Sequence, residues 1–354
     1  MALILSVALA GAAVMVLAAP RTHAHAAGQV ALNTPLADHV PPGVKLTIGD
    51  PATRLVLEHT GWIKQLPFQV KWAQITGGPG VIEAFHAKVL DVGSVADMPP
   101  IHATWIGMPV KMIAVRLRQD PVGYPLFELA VGPKSKIATL ADLKGKKIAY
   151  SPGQAQGEIM LRTLKAEGLT PKDVTLVELP STAADVYINA LAAGLVDIAP
   201  IGAGAPARRY LDQYAEQGGK MLRHPPFRDD LLTLFVRDET LQDPGKAAAL
   251  AAYVRLWARA NQWIQDHPDE WARIYFEKDQ GLSPDQARDA VAATGRLDIP
   301  RDWRGAEAMQ QAAIDIMAPE TGRPRFDATE LFDWRFQTLA ADAVAPRSLA
   351  LAQR

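Results

Sequence analysis

Val89-Leu90-Asp91-Val92-Gly93-Ser94-Val95-Ala96-Asp97-Met98-Pro99-Pro100 is the stretch from which the rest of the chain is read. A short apolar run, small residues and then a Pro pair ahead of Ile101-His102-Ala103-Thr104-Trp105 read as a buried strand turning directly into a helix. In a parallel α/β sheet that turn is where ligands sit. Helix N-terminal N–H groups are unpaired and carry partial positive charge, and Ser94, Asp97 and Met98 stand beside the crevice beyond the strand end. A plain helix start accounts for Asp97-Met98-Pro99-Pro100 equally well, so the neighbouring segments have to decide.

Those segments repeat the pattern. Val44-Lys45-Leu46-Thr47-Ile48-Gly49 alternates and stops at Asp50-Pro51, a first strand, and Thr53 caps a helix expected over 54–63 that starts with Arg54. Phe68-Gln69-Val70-Lys71-Trp72 is a second strand, after which Gly78, Pro79 and Gly80 precede a helix over 81–88 and let the backbone approach a ligand closely. Val110-Lys111-Met112-Ile113-Ala114-Val115 is a third. Strand-turn-helix units with glycine, proline or carboxylate at each turn predict a parallel sheet whose C-terminal edge is lined for binding.

Composition narrows the function. The chain has 354 residues, 49% of them hydrophobic and 21% charged, which is enough to bury two lobes. A formal net charge of −1 supplies no basic field for nucleic acid or an anionic membrane surface. The absence of cysteine excludes disulfides, thiolate metal sites and a cysteine nucleophile. Residues 1–27 read as a cleaved export signal: an apolar run to Ala19, a break at Pro20-Arg21, and small residues in Ala24-His25-Ala26-Ala27. No Lys or Arg precedes the apolar run, which leaves an uncleaved membrane anchor as the alternative. Residues 28–43 form a Pro-containing linker.

Two further runs complete a family pattern. Leu129-Ala130-Val131-Gly132-Pro133 precedes Thr139-Leu140-Ala141-Asp142-Leu143-Lys144-Gly145-Lys146-Lys147-Ile148-Ala149. Together with Thr47-Ile48-Gly49, Gly61-Trp62-Ile63, Gly78-Pro79, Asp91-Val92-Gly93 and Pro99-Pro100, the chain resembles the substrate-binding proteins of ABC importers for nitrate, aliphatic sulfonates and taurine. The likeness runs over about residues 45–300. It implies an α/β, two-lobe periplasmic-binding-protein-like clamshell of type II, each lobe a mainly parallel sheet flanked by helices, with a helical C-terminal extension. Lobe 1 is expected over 44–128 and 230–340, lobe 2 over 129–229, and a loose tail over 341–354. Crossings near 128–132 and 229–234 would form the hinge.

The resemblance also places a site. Ser151-Pro152-Gly153-Gln154-Ala155-Gln156-Gly157 opens a helix over 158–168, and in a second lobe the donors of Gly153, Gln154 and Ala155 would face those of Gly78, Pro79 and Gly80 across a cleft. Gln154 and Gln156 either bond the solute or remain solvated turn residues. Gly202, in Gly202-Ala203-Gly204, closes the second lobe and stands where many relatives have Trp-Asp-Pro; Asp50-Pro51 replaces their aromatic and Gln. Asp50 and Asp97 either contact the solute or cap their helices. If both face the cleft they repel a bare nitrate or sulfonate unless Arg54, Arg116 or Arg118 neutralises them, and an amine-bearing solute fits better.

A catalytic reading is not supported by the residues. The eight histidines are scattered, with no His-Glu-x-x-His pair and no Gly-x-Gly-x-x-Gly after a strand. The aromatics Trp257, Trp263, Trp271 and Phe276 fall at helical spacing and read as core. The expectation is therefore a monomeric periplasmic solute-binding protein without cofactor or metal, serving an ABC permease and ATPase. An enzyme on the same fold acting on a sulfinate or pyrimidine, and a ligand-sensing domain, are the alternatives.

Overall fold

The computed structural model describes residues 34–75, 77–180 and 184–345. The expected export signal, part of the linker and the chain from residue 346 lie outside the described residues. The first strands and helices alternate: β1 (Lys45–Gly49), α1 (Pro51–His59), β2 (Gln69–Trp72), α2 (Gly78–His86), β3 (Val92–Ala96), α3 (Met98–Trp105) and β4 (Val110–Arg118). The chain then leaves for a second unit of β5 (Phe127–Val131), β6 (Lys147–Tyr150), α4 (Ala155–Ala166), β7 (Thr175–Glu178), α5 (Ala184–Ala193), β8 (Ile198–Gly202), α6 (Ala205–Tyr214) and β9 (Lys220–Leu222). It returns as β10 (Leu232–Arg237) and continues as α7 (Asp238–Gln242), α8 (Pro244–Asp266), α9 (Pro268–Trp271), a π-helical stretch (Ala272–Asp279), α10 (Pro284–Thr294), β11 (Leu297–Asp298), α11 (Arg304–Thr321) and α12 (Leu339–Val344).

Two sheets result, each the centre of one lobe. Their orders, β11-β4-β10-β3-β1-β2 and β7-β6-β8-β5-β9, share one arrangement of five strands. In each, the antiparallel member is the strand by which the chain arrives from the other sheet: β10 between β3 and β4, and β5 between β8 and β9. A strand entering from the neighbouring lobe comes in at the opposite end, so it pairs antiparallel. The remaining main strands point the same way, joined by helical crossovers. Parallel strands therefore predominate in direction within sheets of mixed pairing.

Several boundaries differ from the sequence reading for local reasons. The stretch beginning at Val89 enters the sheet only at Val92, because Val89 is 57% exposed and Asp91 is occupied elsewhere. The Asp91 carboxylate accepts from the Thr47 backbone N–H at 2.8 Å and pairs with Lys246 at 2.8 Å. α1 begins at Pro51, with Asp50 rather than Thr53 as its cap: Asp50 Oδ1 accepts from Thr53 N at 3.3 Å. α2 and α4 likewise start earlier, at Gly78 and Ala155. α12 occupies residues read as loose tail, anchored by the buried Ala340.

Gly93 shows why the opening stretch packs as it does. A Cβ there would lie 2.3 Å from Val81 Cγ1 and 3.0 Å from Phe235 Cε1, so the missing side chain lets α2 and β10 close over β3. Phe85 and Phe235 meet in that space with ring centroids 4.8 Å apart. The C-terminal helices touch both lobes: α10 packs on α6, where Arg208 reaches Asp289 at 3.5 Å, and α11 packs on α3 and α4.

At the crossing, two buried aspartates tie the outgoing and returning segments together. Asp229 accepts from Leu126 N at 3.0 Å and Phe127 N at 2.8 Å, with His224 Nε2 at 3.3 Å. Asp230 accepts from the Arg118 backbone N–H and from Arg228 Nη2 at 2.8 Å. Carboxylates thus bind the backbone N–H groups at the end of β4 and at the start of β5, where the chain passes between the sheets.

Candidate functional site

A cavity of about 260 Å³ opens at the C-terminal edge of the first sheet, bounded by the start of α1, β3, β4, β10, α8 and the π-helical stretch. Its polar lining comes from Asp50, Thr53, Ser94, Arg116, Thr233, Asn261 and Tyr275, and its apolar wall from Ile75, Leu232, Trp257 and Ile264. Each polar group arrives by a different route. Asp50 is the cap of α1, Ser94 and Arg116 project from strands, and Asn261 hangs from α8, where its Nδ2 donates to Trp257 O at 2.8 Å. Tyr275 arrives through the π-helix, whose wider turn shifts side chains off the regular helical face.

The charges in this cavity are held apart. Asp50, 3% exposed, accepts from Tyr253 Oη at 2.9 Å as well as from Thr53 N, and burial pushes its carboxyl above the ordinary range. Burial brings Arg116 down to about 10, against an opposing pull from Asp50, so the guanidinium stays charged at neutral pH. Its Nη1 donates to Asn261 Oδ1, and among the described residues no carboxylate comes within ion-pairing distance of it. A partly buried guanidinium without a carboxylate partner beside an open cavity has the chemistry to hold an anion.

A larger cavity of about 360 Å³ lies beyond Ile264, between the end of β4, α9 and α10. Its charged liners, Asp120 and Arg296, are exposed and already hydrated, so it has no comparable demand for a counter-ion.

The expected glycine turns do face one another, but as packed surfaces. A Cβ on Gly78 would stand 2.6 Å from Pro99 Cγ and 3.2 Å from Gln154 Oε1 of the other lobe, and Gly153, at φ +73°, abuts His102 Nδ1. Pro79 and Gly80 complete the first turn of α2. Ala155 is buried against the first lobe's core, Gln156 is partly exposed on α4, and Met98 is fully buried. Gly202 ends β8, with Pro206 of α6 against it. Asp97 caps α3 by accepting from Met98 N at 2.7 Å and lies against Glu158 of α4. Arg54 turns along α1, 4.0 Å from Glu58, and Arg118 turns to the crossing, where it donates to Tyr124 O. Of the residues expected to bind, the cavity therefore gathers Asp50, Thr53 and Ser94.

Asn261, Tyr253 and Tyr275 were not foreseen. Asn261 and Tyr253 come from α8, whose amphipathic pattern reads as core, and the approach of α8 to the sheet edge brings Arg116 to the one and Asp50 to the other; Tyr275 comes from the π-helical stretch. Arg116, named above among the arginines able to neutralise cleft carboxylates, is one of three basic residues in the nine-residue strand β4, with Lys111 and Arg118.

Comparison with known proteins agrees with this architecture. The chain is 28% identical over 229 residues to a Bacillus subtilis (strain 168) protein provisionally named for aliphatic sulfonate binding, covering 63% of this chain and 65% of that one. It is 32% identical over 106 residues to a similarly named Escherichia coli (strain K12) protein, covering 30% and 32%. The matched segments thus span less than two thirds of those relatives. Among solved structures, the periplasmic aliphatic sulphonate binding protein SsuA from Escherichia coli superimposes with a TM-score of 0.67 at 20% identity, covering 82% of this chain and 92% of that chain. SsuA from Xanthomonas axonopodis pv. citri, bound to MOPS, gives 0.65 at 19% identity, covering 84% and 97%. At these identities the structures establish the fold. A family profile described as NMT1/THI5 like matches residues 54–271, more than half of the chain, and the chain belongs to that family.

Proposed function

We propose that this protein is the solute-binding component of an ABC importer, which captures a small anionic, sulfonate- or nitrate-like solute between its lobes and delivers it to a permease and its ATPase. The observation that carries the reading is Arg116, a desolvated cation facing a cavity of about 260 Å³ with no carboxylate partner among the described residues. An anion that stays ionised at every physiological pH supplies the missing charge, and Ser94, Thr53 and Asn261 supply hydrogen bonds around it. Asp50, in the same cavity, offers an acceptor to an amine at the far end of the solute. The names of the sulfonate-binding relatives support this solute class.

In this reading residues 1–27 direct export to the periplasm, the lobes comprise 44–128 with 230–340 and 129–229, and the protein works as a monomer that binds without turnover. The turns at Gly78–Gly80 and Gly153–Ala155 meet when the cleft shuts, and Asp97, Gln154, Gln156 and Gly202 border it.

A thermal-shift panel of nitrate, sulfate, methanesulfonate, hexanesulfonate, taurine and a neutral pyrimidine tests the reading. An anion at about 100 times its dissociation constant adds about 2.7 kcal/mol, a rise of several degrees in the midpoint. A shift with the pyrimidine alone, or with no anion, overturns it.

A further inference from the structure

Two buried carboxyl groups from opposite lobes meet at the junction. Asp97, at the end of β3, is 4% exposed, and Glu158, in the first turn of α4, is 1% exposed. They come from facing elements of the two lobes, and each is the other's buried acidic neighbour. An ionised carboxylate is only an acceptor, so a bond between two carboxyls exists only while one of them carries a proton.

The surroundings leave that proton without a substitute. Met98 N donates to Asp97 Oδ1 at 2.7 Å, and Arg162 Nη1 donates to Glu158 Oε1 at 3.0 Å. Arg162 is itself fixed, donating to Arg228 O at 2.9 Å with its guanidinium 4.1 Å from the Phe227 ring centroid. This single cation balances one carboxylate. The other ionisable neighbour of the pair is Asp229, from the segment entering β10, whose negative charge further disfavours ionisation of Glu158. From α11 comes the neutral Gln310, whose Nε2 donates to Asp97 O at 3.0 Å. On α3, His102 is pushed down by burial and by Arg323; at the end of β6, burial pushes the Tyr150 hydroxyl up to about 12, so it remains neutral.

We propose that closing the lobes takes up one proton at the Asp97–Glu158 contact, so that acid favours the closed clamshell and rising pH opens it. When the lobes part, water reaches both carboxyls, both return to ordinary carboxylate behaviour, and both are ionised at neutral pH. When the lobes meet, burial raises both groups, and the neighbouring Glu158 raises Asp97 further, while Asp97 as hydrogen-bond donor eases the ionisation of Glu158. A raised value in the closed state means that the advantage of closure is complete below the ordinary carboxylate range and is lost as pH rises through the raised value. The consequence for transport rests on the reading of the protein as a solute binder that closes: solute affinity then falls by up to tenfold per pH unit above that value.

The lack of native cysteine makes a direct test clean. Spin labels at Glu83→Cys on α2 and Glu167→Cys at the end of α4, both exposed positions on different lobes, report the gap by double electron–electron resonance. The experiment is run without solute at pH 5 and pH 8. The short, closed distance should dominate at pH 5 and give way to a longer one at pH 8. Glu158→Gln, whose amide donates to Asp97 without a proton, should stay short at both, and Asp97→Asn provides the same check from the other lobe. An unchanged distribution between the two pH values, or a shift that persists in both amide variants, overturns the proposal. Because no solute is present, either result leaves the solute reading to be judged by its own panel.

Discussion

Arg116 carries the chemical argument at the scale of single residues. A partly buried guanidinium loses hydration that one bond to Asn261 does not replace, and Asp50, bonded to Tyr253 and to Thr53 N, does not come within ion-pairing distance of it. The solute then completes an ion pair inside protein, where truncating one partner typically costs about 2–5 kcal/mol. Arg116→Gln should therefore weaken binding of the best sulfonate in the panel by about 30-fold or more, since about 1.4 kcal/mol is a tenfold change. Isothermal titration measures this, and circular dichroism verifies that the fold persists; equal affinity in the variant would remove Arg116 from the site. The sequence exposed half of this arrangement. Asp50, Thr53 and Ser94 could be read from strand ends, because a period-two strand and a cap signal fix where such residues point. Tyr253 and Asn261 could not, because their partners, Asp50 and Arg116, lie more than 140 residues away, and only tertiary packing brings them together.

Element by element, the small residues of the opening stretch have packing roles as definite as any binding role. Gly93 admits Val81 and Phe235 to the space its side chain would fill, so Gly93→Ala forces either α2 or β10 to move. Overpacking of this kind costs about 1–3 kcal/mol, and urea denaturation should show it as a lower midpoint with an unchanged slope. An unaltered midpoint would mean that the contact relaxes freely. The strand-turn-helix rhythm was legible because alternation, proline and glycine mark it locally. Antiparallel insertion of β5 and β10 was not, since a crossover strand carries the same apolar run whichever way it enters the sheet. Nor was the π-helical stretch, whose extra residue per turn leaves no distinct mark among Trp271, Tyr275 and Phe276.

For the whole molecule, two sheets of one design are joined where Asp229 and Asp230 bind the crossing backbone, and the C-terminal helices lean on both lobes. Rotation about the crossing would leave both sheets intact and part the contacts that Tyr150, Ala155 and Leu161 make with the first lobe's core. The resemblance in the first half of the chain anticipated that plan, because repeated turns at strand ends are properties of the fold. It did not anticipate that the glycine turns of the two lobes would press together around Pro99, Gln154 and His102 while the charged cavity lay to one side, at the edge of the first sheet. The central claim is that this cavity binds an anionic solute and returns it unaltered. Isothermal titration with methanesulfonate, hexanesulfonate and taurine, followed by denaturation and chromatographic recovery, tests it most directly. The account predicts saturable binding of at least one sulfonate at one per protein, with the same compound recovered quantitatively. Saturation by none of them, or recovery of a cleaved product, would contradict it.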